Sequence, residues 1–225
     1  MKKKIRWLLL ILIGLIGLGA GTAWLVWRGV HCEPAFYRDL AVTDANRDKA
    51  IQDARTMFRK VAHLRNRMEK KGKWSLEMTQ DELNHWVELD LEAKHPGFLS
   101  RRVRYPRVQI NGGQLRCGAT IDAREYQGVA SVDIVPSMEA PNIVNIEFRT
   151  IRAGVVPLPR KILLDLATEK ARELALPIDW RQHNGNPVLR MAFSENELRY
   201  GDHPIVLHQV TVKDGKIIIV GETLQ

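Results

Sequence analysis

The residues of this chain that could carry chemistry are seven histidines, two cysteines and a scatter of serines and carboxylates. Serine hydrolysis has little to build on. There is no G-x-S-x-G elbow, and Ser75, Ser100, Ser131, Ser137 and Ser194 have no suggestively spaced His or Asp beside them. No two histidines stand four residues apart, the spacing that turns two metal ligands onto one helix face. His208 falls in an apparent strand and reads as a packed or edge histidine. Glu88, Asp90 and Glu92 cluster near a helix end, and Asp122 is in or just after a strand. Acid–base work needs a fixed separation between such groups, and proximity along the chain does not supply one. Gly112-Gly113 joins two strands instead of opening a helix, so it is not a phosphate loop. Cys32 and Cys117 make neither a zinc site nor a disulfide framework. A bridge between them is chemically permitted outside the cytoplasm, although one adjoins the N-terminal apolar run and the other lies in an apparent strand. An enzyme would require distant groups to converge. The expectation is a non-enzymatic protein with no metal and no cofactor.

The elements that would position these groups are legible from periodicity. Between residues 44 and 71, Ala50, Ile51, Ala54, Met57, Phe58, Val61, Leu64 and Met68 recur at steps of three and four, the pattern of an amphipathic helix. WSLEM (74–78) alternates like a half-buried strand. Thr79-Gln80-Asp81-Glu82 is a capping box, in which the threonine oxygen and the Glu82 carboxylate each satisfy an exposed backbone N–H. Leu83, Trp86, Val87 and Leu91 then form one apolar stripe, which leaves Glu82, Asn84, His85 and Glu88 largely outside. Strands are expected over 103–110, 114–121, 128–136 and 143–151, a helix entered at Pro159, and strands over 187–193, 205–212 and 216–222. Asn111-Gly112-Gly113 and Asp214-Gly215 are hairpin turns. The order is helix, strand–helix, four strands, helix, three strands: α+β with a mainly antiparallel sheet.

The N-terminus adds a membrane expectation. From Trp7 to Trp27 no residue is charged, and such a run is roughly 31 Å long at about 1.5 Å per residue, close to a hydrocarbon core of about 30 Å. Lys2, Lys3, Lys4 and Arg6 precede it and only Arg28 follows closely. The positive-inside rule thus places the N-terminus in the cytoplasm and residues 29–225 outside. A cleaved signal peptide is the competing reading, against which stands an apolar region longer than the usual ~7–15 residues. Cell-membrane, single-pass, signal-anchored localisation in a cell envelope is therefore expected. The domains are 1–30 (cytoplasmic tip and anchor), 31–73 (connector and basic helix) and 74–225 (extracytoplasmic α+β domain).

The formal charge of +8 does not require nucleic acid. Without the five basic residues of the anchor, 29 basic residues face 26 acidic ones, and residues 41–73 alone hold ten basic and four acidic. Arg55, Arg59 and Lys60 in that segment are read either as a face toward a membrane surface or as a solvated face near a helix C-terminus. Gly17 and Gly21 form an isolated GxxxG.

Met78-Thr79-Gln80-Asp81-Glu82-Leu83-Asn84, following a short strand, resembles the start of the YpmS-type and YceB-type bacterial envelope proteins. Ala153-Gly154-Val155-Val156-Pro157-Leu158-Pro159 and Leu176-Pro177-Ile178-Asp179-Trp180 resemble the later part of YpmS-type chains, so the likeness in element order covers about residues 70–225. It implies a TULIP-like architecture, a curved sheet wrapped about a helix with an apolar groove, and lipid or other hydrophobic-ligand binding without catalysis. The groove would be lined by Leu83, Trp86, Val87, Leu158, Ile162, Leu163 and Leu166. The bland alternative is a closed core. With a closed core the protein would be a structural or assembly subunit of an envelope complex, acting through protein–protein contacts.

Overall fold

The computed structural model describes residues 21–91, 102–124, 126–173, 176–194 and 197–224. The helices are α1 (described over 21–30), α2 (Ala35–Asp39), α3 (Arg47–Met68), α4 (Gln80–Trp86), which continues into a π-helical turn over Val87–Leu91, and α5 (Arg160–Glu173). The strands are β1 (Gly72–Thr79), β2 (Val103–Asn111), β3 (Gln114–Asp122), β4 (Gln127–Ala140), β5 (Ile143–Ala153), β6 (Val156–Pro157), β7 (Ile178–His183), β8 (Asn186–Ala192), β9 (Arg199–Tyr200), β10 (His203–Lys213) and β11 (Lys216–Thr223).

The strands form two antiparallel sheets. One runs β2-β3-β4-β5-β8-β7, with β6 paired to β5, and the other runs β1-β11-β10-β9. Two-residue turns with positive φ close the hairpins: Gly112 (56°) and Gly113 (76°) between β2 and β3, Asn184 (50°) and Gly185 (74°) between β7 and β8. Such turns match the twist of the strands they join. The alternation in WSLEM becomes a strict one, with Trp74, Leu76 and Met78 buried and their neighbours out. Met57 of α3, Leu76 and Met78 of β1, Ile110 of β2, Leu115 of β3 and Ile217 of β11 form a buried cluster that ties α3 to both sheets. Burial of each such side chain contributes about 1.5–3 kcal/mol.

The helices also cover strand edges. α3 runs along the free edge of β1, where Lys60 Nζ donates to Glu77 O (3.0 Å) and an Arg67 guanidinium N–H donates to Lys73 O (3.0 Å). α4 covers β2, where the Ile110 N–H donates to Gln80 Oε1 (2.8 Å) and the Asn84 side chain pairs with Val108.

These observations correct the expected fold class. In place of an N-terminal transmembrane helix followed by one curved sheet packed on amphipathic helices in TULIP-like fashion, there are two antiparallel sheets, curled as a half-barrel, with helices set on them. Among the described residues no helix is long and apolar enough to cross a membrane. Residues 7–20 of the expected span lie outside the described residues, and 21–30 are helical. The single-pass, signal-anchored topology and the cell-membrane localisation are withdrawn with it.

Candidate functional site

The segment opened by Thr79 carries the densest set of buried polar groups. Both halves of its capping box form: the Glu82 N–H donates to Thr79 Oγ1 (3.3 Å) and the Thr79 N–H to Glu82 Oε2 (3.0 Å). Glu82, Asn84 and His85 are buried, contrary to the expectation that they lie outside. The reason is that α4 has neighbours on two sides. Toward α3, Lys60 Nζ meets Glu82 Oε2 (2.7 Å) and His85 Nδ1 meets Asp53 Oδ2 (2.9 Å). Toward β2, Asn84 Nδ2 donates to Val108 O (2.7 Å) while the Val108 N–H donates to Asn84 Oδ1 (2.6 Å). Glu88 Oε2 lies 3.5 Å from Arg107 Nε, and Arg107 also donates to Tyr37 O (2.8 Å). Burial works to raise the Glu82 carboxyl, but the Lys60 ammonium and the Thr79 N–H together hold it below the usual carboxylate range. Lys60, Glu82, Asn84 and His85 are spent on joining elements, while Glu88 Oε2 and Arg107 Nε face each other without a hydrogen bond.

A second cluster lies on β3, β4 and β5. Asp133 accepts from Arg116 Nε (2.6 Å) and from Arg152 (2.8 Å). Burial pushes this carboxyl up, and the two guanidiniums outweigh it and hold it low. Arg116 stands over the Phe36 ring at 5.4 Å and Arg107 over the Tyr37 ring at 4.3 Å, so α2 is held on this side of the sheet by cation–π contacts. The Tyr37 hydroxyl donates to Tyr105 O at 2.7 Å. Gly118 makes the close approach workable, because a Cβ there would come within 2.9 Å of the Phe36 ring.

Among the described residues a groove of about 1030 Å³ lies between α3 and the π-helical turn. Ile51, Ala54, Phe58 and, from the π-helical turn, Leu89 supply its apolar floor, while Asp48, Gln52, Arg55 and Arg59 supply the rim. Phe58 is 50% exposed, whereas Ala54 and Met57 beside it are buried. The helix-period pattern that reads Phe58 as core is therefore right about the helix and wrong about which neighbour covers that residue. No signal along the chain separates Phe58 from Met57.

Four of the seven residues expected to line one apolar groove have described side chains. Leu83 and Trp86 pack against the buried cluster between α3, β1 and β2, and Val87 is half-buried where α4 ends. Leu158 is half-buried next to β5, with its N–H donating to Ile151 O (2.8 Å). The side chains of Ile162, Leu163 and Leu166 lie outside the described residues; their helix, α5, contacts β5, which β3 and β4 separate from β2 and its α4 cover. Of the basic trio, Arg55 and Arg59 are exposed and Lys60 is engaged by Glu82. Both cysteines are free. Among the described residues no three His, Cys, Asp or Glu side chains are grouped to hold a metal ion.

Comparisons with protein-family models, with curated proteins and with solved structures return no match. The likeness to YpmS-type and YceB-type chains thus rests on the short motifs alone. The description as a single-pass transmembrane protein is corrected, since no described helix is long and apolar enough to span a bilayer, and lipid binding finds no support among the described residues.

Proposed function

We propose that the protein is a non-catalytic assembly module that holds an amphipathic, acidic helix of a partner protein in the groove along α3. One observation carries this reading: a half-exposed Phe58, set among Ile51, Ala54 and Leu89 and rimmed by Arg55 and Arg59. Covering the half of this side chain that is still open contributes about 1 kcal/mol, and a groove recognises a helix by adding such contacts at residues i, i+3, i+4 and i+7. The guanidiniums at the rim select carboxylates and disfavour a basic helix. Asp53, Glu82 and His85, the groups nearest to acid–base chemistry in α3 and α4, are paired within the fold and do not line the groove.

The test is fluorescence anisotropy of the full chain with two synthetic helical peptides that share Leu and Phe at those spacings, one bearing Glu and the other Lys on the flanks. The acidic peptide binds and the basic one does not. Phe58→Asp weakens binding at least about tenfold, which is about 1.4 kcal/mol, and Arg55→Glu with Arg59→Glu reverses the charge preference. Equal affinity for both peptides, or an unchanged Phe58→Asp variant, overturns the reading.

A further inference from the structure

β7 ends the larger sheet, and its outer edge pairs with no other described strand. The edges of β1 and β2 are covered by α3 and α4, and β10 is met by Asn142, whose Oδ1 accepts from the Leu207 N–H (2.7 Å) and whose own N–H donates to Leu207 O (3.0 Å). The turn at Asn184-Gly185 makes His183 and Asn186 a hydrogen-bonded pair, so Asp179, Arg181 and His183 direct their backbone groups at β8. The N–H and C=O of Ile178, Trp180 and Gln182 therefore point away from the sheet, and no backbone bond within the described residues meets them.

The charges on this edge decide what covers it. We infer that β7 pairs antiparallel with β7 of a second copy of the chain, about a twofold axis through Trp180. In that register Ile178 faces Gln182 and Trp180 faces its own counterpart, which satisfies both sets of outward backbone groups with about six inter-strand hydrogen bonds. Asp179 then stands opposite Arg181 of the second copy, and Arg181 opposite Asp179, so both cross-strand pairs are complementary. Within one chain these two side chains already lie together, with Arg181 Nε 3.2 Å from Asp179 Oδ2, and both are at least half exposed and free to re-pair across the axis. Glu139, 3.6 Å from the same guanidinium, keeps a closer partner in Arg190 at 3.1 Å. A shift of pairing by two residues breaks the match of charges across the axis, which makes the register specific. The interface is isologous, as closed twofold dimers require. Trp180, whose ring lies 5.8 Å from that of Phe148, would meet its counterpart on the face that carries α5. This inference is independent of the groove along α3.

Sedimentation velocity on the full chain tests it, with Asp179→Arg, Arg181→Asp, the double swap, and an equimolar mixture of the two single variants. Circular dichroism confirms that each variant is folded. The wild-type chain sediments as a dimer. Each single variant sets like charges opposite each other and becomes monomeric. The double swap restores the dimer. Mixing the two single variants yields a heterodimer, because an edge with two positive side chains then faces an edge with two negative ones. A wild-type monomer, single variants that stay dimeric, or folded single variants that do not associate on mixing each overturn the inference.

Discussion

The side-chain amide of Asn84 pairs with both backbone groups of Val108, donating at 2.7 Å and accepting at 2.6 Å. One amide thus does for β2 what a further strand would do, and with Gln80 bonded to the Ile110 N–H it seals the edge of the larger sheet against water. Asn84→Leu leaves the half-buried N–H and carbonyl of Val108 without this partner, a loss of about 1–3 kcal/mol. Urea unfolding is expected to show a lower midpoint with an unchanged slope. Asn84→Asp keeps an acceptor but loses the donor, and falls between the two. A midpoint for Asn84→Leu equal to wild type would show that the edge is sealed without this pair.

Gly221 sits where β11 passes beneath Trp74. A Cβ at this position would overlap the Trp74 ring and come within 2.8 Å of Val206 O, a backbone atom that cannot step aside. Trp74 cannot swing away freely either, because its Nε1 donates to the buried Thr223 hydroxyl at 3.2 Å. Gly221→Ala is therefore expected to destabilise by about 1–3 kcal/mol, the usual cost of overpacking, measured by the same urea titration. Wild-type stability would mean that β10 and β11 separate more readily than their ladder implies.

Much of this local structure is legible along the chain, and the pairing is not. The T-x-x-E box at Thr79 and Glu82 and the Gly112-Gly113 turn have partners within a few residues, so spacing alone finds them. Asn84 reads as an exposed position because its partner, Val108, lies across a different element, and a helical period sees only one covered face. The division into two sheets depends on β1 pairing with β11, Trp74 opposite Gly221, a contact between opposite ends of the domain that no local pattern encodes. The strand β7 is hidden for another reason. Ile178, Trp180 and Gln182 alternate with Asp179, Arg181 and His183, and the weakly apolar face of an open edge gives a faint signal, although Asn184-Gly185 marks the hairpin. The candidate groove fails to show for the same reason as Asn84, since periodicity places Phe58 on the stripe without saying what lies opposite.

Acid titration should expose the two carboxylate clusters. Glu82 and Asp133 both have folded-state pKa values below their ordinary ones: burial acts to raise each, and Lys60 with Thr79, or Arg116 with Arg152, prevails. A carboxylate depressed in the folded state contributes stability that is fully present above its unfolded pKa, about 4, and is lost as pH falls through the folded value. Stability measured by urea unfolding is thus expected to be level from pH 7 to about 5 and to drop below about 4. Asp133→Asn is less stable at pH 7, since two guanidiniums lose their counter-charge, but its stability falls less between pH 4 and pH 2. Parallel acid curves for Asp133→Asn and wild type would remove Asp133 from this role.

The two thiols should differ in reactivity. Cys117 lies on β3 against the buried cluster, and burial, aided by the nearby Asp133 carboxylate, pushes its thiol up to about 11. At pH 8 only about one molecule in a thousand would carry the thiolate that attacks an alkylating reagent. Cys32 is exposed, and its contact is a 3.8 Å approach to Glu33 O. Iodoacetamide at pH 8 is expected to modify Cys32 first, with Cys117 reacting only once urea unfolds the sheet. Peptide mass spectrometry over a time course reads both sites in one sample. Equal rates for the two residues in the native protein would mean that β3 opens on the timescale of labelling, and that the cluster around Met57 and Leu115 is not a closed core.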